Sequence, residues 1–188
     1  MKGESNDHKQ NGNWEIRSTR QVFANAFFAV FEDDVIKPTG DDGKYATIRF
    51  NPGVSVLPID DDGNVYLTRQ FRYAIGRDDI EAVAGSIEGE GALAGAKREL
   101  KEELGIEAND WIDLGISYSV TSIAQCSSRH FIALGLTFGE QETEGTEEIE
   151  ACKMSLGEAF DMVMGGTITD GDTSLLILKA VALNEKRQ

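Results

Sequence analysis

The segment Leu93-Ala-Gly-Ala-Lys-Arg-Glu-Leu-Lys-Glu-Glu-Leu104 constrains this chain more than any other. At about 100° per residue, Leu93, Ala96, Leu100 and Leu104 fall within about 80° of one another, which predicts an amphipathic helix with those four on its core stripe. Glu99, Glu102 and Glu103 gather on another face, since residues three and four apart are neighbours on a helix surface. Each like-charge pair there costs about 0.2–0.5 kcal/mol in an isolated helix. The residues alone leave two accounts open: a solvated acidic face, or a face that meets a cation.

Charge narrows the partners. The chain has 188 residues, with 18 basic against 33 acidic side chains and a formal net charge of −15. Such a surface repels phosphate backbones and anionic membranes, so binding to nucleic acid or to a membrane through basic patches is not expected. The length suits one domain, or one domain with a small extension. Cys126 and Cys152 show neither a CxxC pattern nor a Cys/His cluster, so both are expected as partly buried free thiols. Residues 1–13 contain no apolar run, and no stretch is apolar enough to cross a bilayer, which predicts a cytoplasmic protein. His8 and His130 have no evident Ser or Cys partner, so no catalytic triad is expected.

Along the chain, residues 1–13 are polar and expected to be disordered. Residues 14–50 read as a meander of three short strands, punctuated by Asp33-Asp34 and Thr39-Gly-Asp-Asp-Gly43. A sheet that small has one apolar face and needs something to cover it. From residue 51 onward, VSVLPI and VYLTRQF flank Asp60-Asp-Asp-Gly-Asn64 and predict a hairpin. Further strands are expected over Trp111–Val120, His130–Leu136 and Glu150–Met154. Ser155-Leu-Gly-Glu158 reads as a capping box opening a short helix that stops at Gly165-Gly166, and Thr173–Lys186 reads as a last helix. Strands and helices alternate without βαβ regularity, so the class is α+β, with helices packed against a mixed sheet.

Extended on both sides, the helix brings a family into view. Glu90, Arg98, Glu99, Leu100, Glu102, Glu103, Gly105 and Ile106 match the pattern G-x5-E-x7-R-E-U-x-E-E-x-G-U, with U aliphatic, and so resemble the Nudix box. The nine-residue end alone arises by chance with a probability on the order of 10⁻⁷ per position. One departure is that Ala84 stands where the pattern has its glycine; the neighbouring Gly85 serves if the loop before Glu90 is one residue short. The resemblance implies an α/β/α sandwich around a mixed sheet, preceded by an N-terminal β-meander subdomain. It implies Mg²⁺, or Mn²⁺, held chiefly by Glu99 and Glu103, with Glu102 and the Ala84 carbonyl assisting. Such hard oxygen ligands suit Mg²⁺ shared with substrate phosphates. Arg98 then orients the glutamates through charge-assisted hydrogen bonds; a solvated arginine is the other account of it.

Pro52-Gly-Val-Ser-Val-Leu-Pro-Ile-Asp, Gln70-Phe-Arg72 and Gly166-Thr-Ile-Thr-Asp170-Gly-Asp-Thr resemble the ADP-ribose pyrophosphatase branch. That likeness implies hydrolysis of a nucleoside diphosphate sugar, ADP-ribose to AMP and ribose 5-phosphate, by a homodimer in which the meander contacts its partner. GDP-mannose, another nucleotide sugar or a dinucleotide are alternative substrates, and a nucleotide-binding module without catalysis is a third reading. Arg72 would reach substrate phosphates or the terminal ribose. Phe27 could stack on the base, or serve the core or a dimer interface. Ser119–His130 lacks the proline-glycine pair and the glutamate common in relatives. Metal-bound glutamates are poor bases, so a carboxylate on the acidic loop Gly139–Glu150 is the better candidate to activate water. Glu144, Glu147 and Glu148 qualify, with Glu147 preferred, against the alternative of a merely solvated loop.

Overall fold

The computed structural model describes residues 9–142 and 149–185. The chain divides into two units, Met1–Asn51 with Tyr118–Ser127, and Pro52–Ser117 with Ser128–Gln188. In the first, turn residues separate the antiparallel strands β2 (Trp14–Ala24), β3 (Phe28–Ile36) and β4 (Asp42–Phe50), the three-strand meander read from the sequence. Asp33-Asp34, expected as a turn, instead lies inside β3, paired with Thr19 and Ser18 of β2 and Tyr45 and Lys44 of β4, because the chain reverses earlier, at residues 25–27. Asn25 shapes one turn, its Oδ1 accepting the N–H groups of Phe27 and Phe28 at 2.8 and 2.9 Å. Gly40, with φ of 91°, serves the next.

Two strands of this sheet were not expected. β1 (Lys9–Asn11) pairs with the start of β2, so part of the stretch read as disordered is ordered. Its signal was the two-residue Gly12-Asn13 loop with glycine first, at φ of 61°, which favours a tight hairpin whatever the polarity of the flanks. Farther along, β10 (Ala124–Gln125) runs parallel to Ile48 and Arg49 of β4.

The second unit contains two sheets. In one, β8 (Val83–Ser86), β5 (Gly53–Pro58), β11 (Ser127–Phe138) and β9 (Ile106–Tyr118) lie in that order, β5 parallel to β11 and antiparallel to β8. In the other, β6 (Asn64–Arg72) lies between β12 (Glu150–Ser155) and β7 (Arg77–Glu81), all antiparallel.

The expected hairpin of β5 and β6 is therefore corrected. The turn does form, Asp60 Oδ1 accepting from the Asp62 and Asn64 N–H groups at 3.1 and 2.8 Å, but after one bridge, Ile59 to Val65, the strands part into different sheets. Val54–Pro58 is buried without alternation, the mark of a strand covered on both faces beside a parallel neighbour.

The strands β5 and β11 supply both sides of the core. Leu57 and Ile132 pack with Val65, Leu67, Leu176 and Ile177 beneath α2 (Leu156–Met164) and α3 (Gly171–Glu185). Val54, Val56 and Phe131 pack with Ala96, Leu100 and Leu104 of α1 (Ala92–Leu104). Helices thus cover both faces of a mixed sheet, the expected α+β sandwich. Leu93 departs from the predicted stripe: it is 41% exposed, and the buried face is made by Gly95, Ala96, Leu100 and Leu104. The capping box forms at α2, with Ser155 Oγ accepting the Glu158 N–H and the Glu158 carboxylate accepting the Ser155 N–H.

Candidate active site

Burial of Ala96 and Leu100 leaves the glutamates of α1 on its outer flank, and Arg98 gathers them. Its Nη1 donates to Glu99 and Glu102, each at 2.9 Å. Nη2 reaches the Ser86 carbonyl at 2.9 Å and Glu90 at 3.3 Å. Arg98 thus contacts three carboxylates and a main-chain carbonyl at once. Burial alone would lower its pKa, but Glu99, then Glu102 and Glu90, drive it up. Burial likewise pushes Glu90 up, and the backbone N–H groups of Glu88 and Glu90 with Arg98 outweigh it and hold its carboxyl below the usual range.

Glu99 is the most enclosed of the set, with its side chain 13% exposed. It lies directly on the backbone of Gly85, where an added Cβ would come within 1.8 Å of Oε1. Ala84, one residue earlier on β8 and opposite Ser55, points its methyl outward. Burial pushes the Glu99 carboxyl up; Arg98 opposes this, while the charges of Glu102 and Glu88 add to it. A half-buried carboxylate among others is stabilised by a cation.

The far end of α1 is fastened to the loop that follows β11. Gly105 closes the helix at φ of 63°. The carbonyls of Glu102 and Glu103 then accept the Glu142 N–H at 3.2 Å and Gln141 Nε2 at 2.8 Å, and Gly139 donates to Gly105 O at 2.7 Å. Helix ends need such partners because their last carbonyls have none within the helix. Glu144, Glu147 and Glu148 lie outside the described residues.

Arg72 ends β6 and grips Glu81 with a two-pronged hydrogen bond, Nε at 2.9 Å and Nη2 to the other oxygen. Glu81 is the chief cause of its raised pKa; burial opposes, and Glu103 and Asp170 add at longer range. Arg72 and Glu103 therefore feel each other's charge. Glu81 escaped the sequence reading because its partner is set by the β6–β7 pairing. Phe27 stands in the other unit, on the β2–β3 turn and 73% exposed, so the core role allowed for it does not hold within the chain.

Among the described residues, no three His, Cys, Asp or Glu side chains are gathered as a ready metal cage. The set nonetheless fits a hard divalent ion: Glu99, Glu102 and Glu103 offer carboxylate oxygens on one rigid helix, and the most buried has a raised pKa that a cation would offset.

His130 corrects a further expectation, for it does have a serine partner. Fully buried on β11, its Nε2 lies 2.8 Å from Ser117 Oγ, which donates to Asp172 at 3.2 Å, while among buried side-chain atoms of the described residues only His130 Nδ1 lacks a partner. Burial lowers its pKa; Asp172 opposes and Lys179 adds. The unfolded chain then binds a proton below about pH 6.5 that the native one resists, so this stability is full above that pH and lost as pH falls. Thermal melts between about pH 7 and 5.5 are expected to show a smaller drop in Tm for His130→Gln than for wild type.

The geometry brings together helix-borne carboxylates ordered by one arginine, the innermost of them, Glu99, seated on Gly85 of β8. A family model described as NUDIX domain matches residues 49–173. The chain belongs to the NUDIX domain family and is a Nudix hydrolase. It is similar to an ADP-ribose pyrophosphatase of Bacillus subtilis (strain 168), 28% identical over 160 residues covering 84% of this chain and 86% of that one. A Methanol dehydrogenase activator of Bacillus methanolicus is 27% identical over 165 residues, 85% and 88% of the two chains. An ADP-ribose pyrophosphatase of Mycobacterium tuberculosis (strain ATCC 25618 / H37Rv) is 30% identical over 125 residues, 65% of this chain and 60% of that one. Among solved structures, one of an ADP compounds hydrolase superposes with a TM-score of 0.82 at 22% identity, covering 96% of this chain and all of that one, and so shares the fold.

Proposed function

We propose that the protein hydrolyses the diphosphate of a nucleoside diphosphate sugar with Mg²⁺, cutting ADP-ribose to AMP and ribose 5-phosphate. The observation that carries this reading is the seating of Glu99 on Gly85 with Arg98 bridging Glu90, Glu99 and Glu102. Two relatives that carry the name ADP-ribose pyrophosphatase support the substrate. Mg²⁺, or Mn²⁺, would neutralise phosphoryl charge and lower the pKa of a bound water.

Glu99 and Glu103 would be the principal ligands, assisted by Glu102 and the Ala84 carbonyl. Arg98 keeps the glutamates in place, because its fork fixes both distance and orientation. Arg72 would bind a substrate phosphate or the terminal ribose. Glu81 occupies its Nε and Nη2, so Nη1 is the nitrogen available to an anion. Glu147, or else Glu144 or Glu148, would take the proton from the attacking water. Phe27 would serve the base or a partner chain.

The experiment is release of the nucleoside monophosphate (AMP from ADP-ribose, GMP from GDP-mannose) from a nucleotide-sugar and dinucleotide panel, with Mg²⁺ and with excess EDTA. ADP-ribose is expected as the preferred substrate, with activity abolished by EDTA. Preference for GDP-mannose or a dinucleotide would redirect the substrate, and binding without turnover of any would overturn the enzymatic reading. The departures in Ser119–His130 make the panel necessary.

The protein is further proposed to be a homodimer through residues 14–50. Val22, Phe23, Phe27 and Phe50 are 49%, 51%, 73% and 40% exposed, and the rings of Phe23, Phe28 and Phe50 stand 5.5 Å apart in sequence. Contiguous apolar surface of this kind marks an interface. Sedimentation is expected to give twice the 20.5 kDa chain mass, and a monomer at micromolar concentration would contradict it.

A further inference from the structure

The first unit contains a cleft of about 300 Å³, lined by Asn11, Trp14, Asp33, Tyr45, Thr47 and Gln125 among others. Asp33 is its unusual member. The residue is 7% exposed, and its Oδ1 accepts Thr19 Oγ1 at 2.6 Å, yet among the described residues it forms no ion pair. Its acidic neighbours do. Glu32 holds Arg20 and Lys44 at 2.8 and 2.7 Å, and Asp34 faces Lys44 at 3.7 Å. Strand alternation sends Glu32 and Asp34 to one face of the sheet and Asp33 to the other, so these cations serve the face that Asp33 does not share, while Arg49, on Asp33's face by the β3–β4 register, lies 4.0 Å over the Phe31 ring. A carboxylate has about four lone-pair sites, so one accepted hydrogen bond leaves Asp33 able to accept more from a donor in the cleft.

The rest of the cleft suits a particular kind of cation. Trp14 and Tyr45 meet edge to face, with centroids 5.4 Å apart and planes at 76°. Tyr45 is fixed in place by its hydroxyl, which donates to the Ser122 carbonyl at 2.5 Å. Aromatic faces attract organic cations and cover their alkyl parts. Ile16 and Val35 add apolar lining, while Asn11, Thr47 and Gln125 bring side-chain oxygens able to accept N–H groups. Mg²⁺ is poorly matched here, because it keeps tightly held waters and favours several oxygen ligands at once.

We propose that this cleft binds a primary alkylammonium ion, its –NH₃⁺ on Asp33 and its alkyl chain along Trp14 and Tyr45. The site lies wholly within the first unit and does not depend on the hydrolytic reading of the second.

Trp14 and Trp111 are the only tryptophans in the sequence, so Trp111→Phe in the full chain makes Trp14 fluorescence the reporter. Titration with n-butylammonium or putrescine is expected to give a saturable change and a rise in Tm, as binding to the native state requires. Asp33→Asn keeps the shape and the acceptor for Thr19; it is expected to weaken binding by at least about tenfold, the scale of a lost charged hydrogen bond. A control that needs no variant at Asp33 compares n-butanol and KCl at matched ionic strength, neither of which should reproduce the change. A linear, non-saturating response, equal binding by Asp33→Asn, or the same response to n-butanol or KCl would overturn the proposal.

Discussion

Glu103→Gln is expected to lower kcat by at least about a hundredfold, the scale on which charge stabilisation at a phosphoryl centre is lost. Gln keeps the length of the side chain and its helix propensity, so the change acts through the lost charge. Stability is not expected to fall. Glu99, Glu102 and Glu103 crowd one flank of α1, and Arg98 bonds Glu99 and Glu102. Removing the Glu103 charge relieves its repulsion with Glu99, about 0.2–0.5 kcal/mol, against the loss of its attraction to Arg72. The informative result is therefore a split between lost turnover and a Tm close to that of wild type. Full activity of the variant, or of wild type in excess EDTA, would remove these carboxylates from the chemistry.

A comparable loss is expected from Gly85→Ala, although the residue has no side chain to contribute. A Cβ there would lie 1.8 Å from Oε1 and 1.9 Å from Cδ of Glu99. The Gly85 φ is not in the left-handed region, so alanine is compatible with the strand and the conflict is one of space. The Glu99 carboxylate must then move off β8 and away from the position in which Arg98 holds it at 2.9 Å. Displacements of about 1 Å at a catalytic group cost on the order of a hundredfold, and that is the expected fall in kcat. If Gly85→Ala retains wild-type kcat, the geometry of Glu99 does not matter to turnover.

These two experiments also mark what could be read from sequence. The helix and its acidic flank were legible because a period of about 3.6 residues needs no tertiary information. The capping box at Ser155 and the glycine stops were legible for the same local reason. That Gly85, beside the motif position held by Ala84, carries the steric requirement needed the structure, since only packing shows where a methyl would collide. Leu93 was assigned to the core by angle alone, but it falls in the first turn of α1, beyond the sheet that covers Ala96 and Leu100.

Long-range pairing accounts for the other differences. The Asp60–Asn64 turn was correctly located, yet a turn does not decide whether its arms stay paired. Double-sided burial of Val54–Pro58 sent β5 to β11 instead of β6. His130 with Ser117 and Asp172, and Arg72 with Glu81, are contacts fixed by register and by the placement of α3. No local pattern announces them.

The short β10 has an implication for how such a chain can be cut and recombined. The backbone passes between the two units at residues 51–52, 117–118 and 127–128, and β10 on the returning excursion completes an edge of the sheet begun by residues 9–50. The N-terminal unit is consequently not a cassette. A deletion ending at Asn51 would leave Tyr118–Ser127 behind without the strand it pairs with, and a graft of residues 1–51 onto another protein would leave the outer edge of β4 bare. Exchange between relatives must carry both pieces together, which ties the ancestry of the meander to that of a loop more than sixty residues downstream.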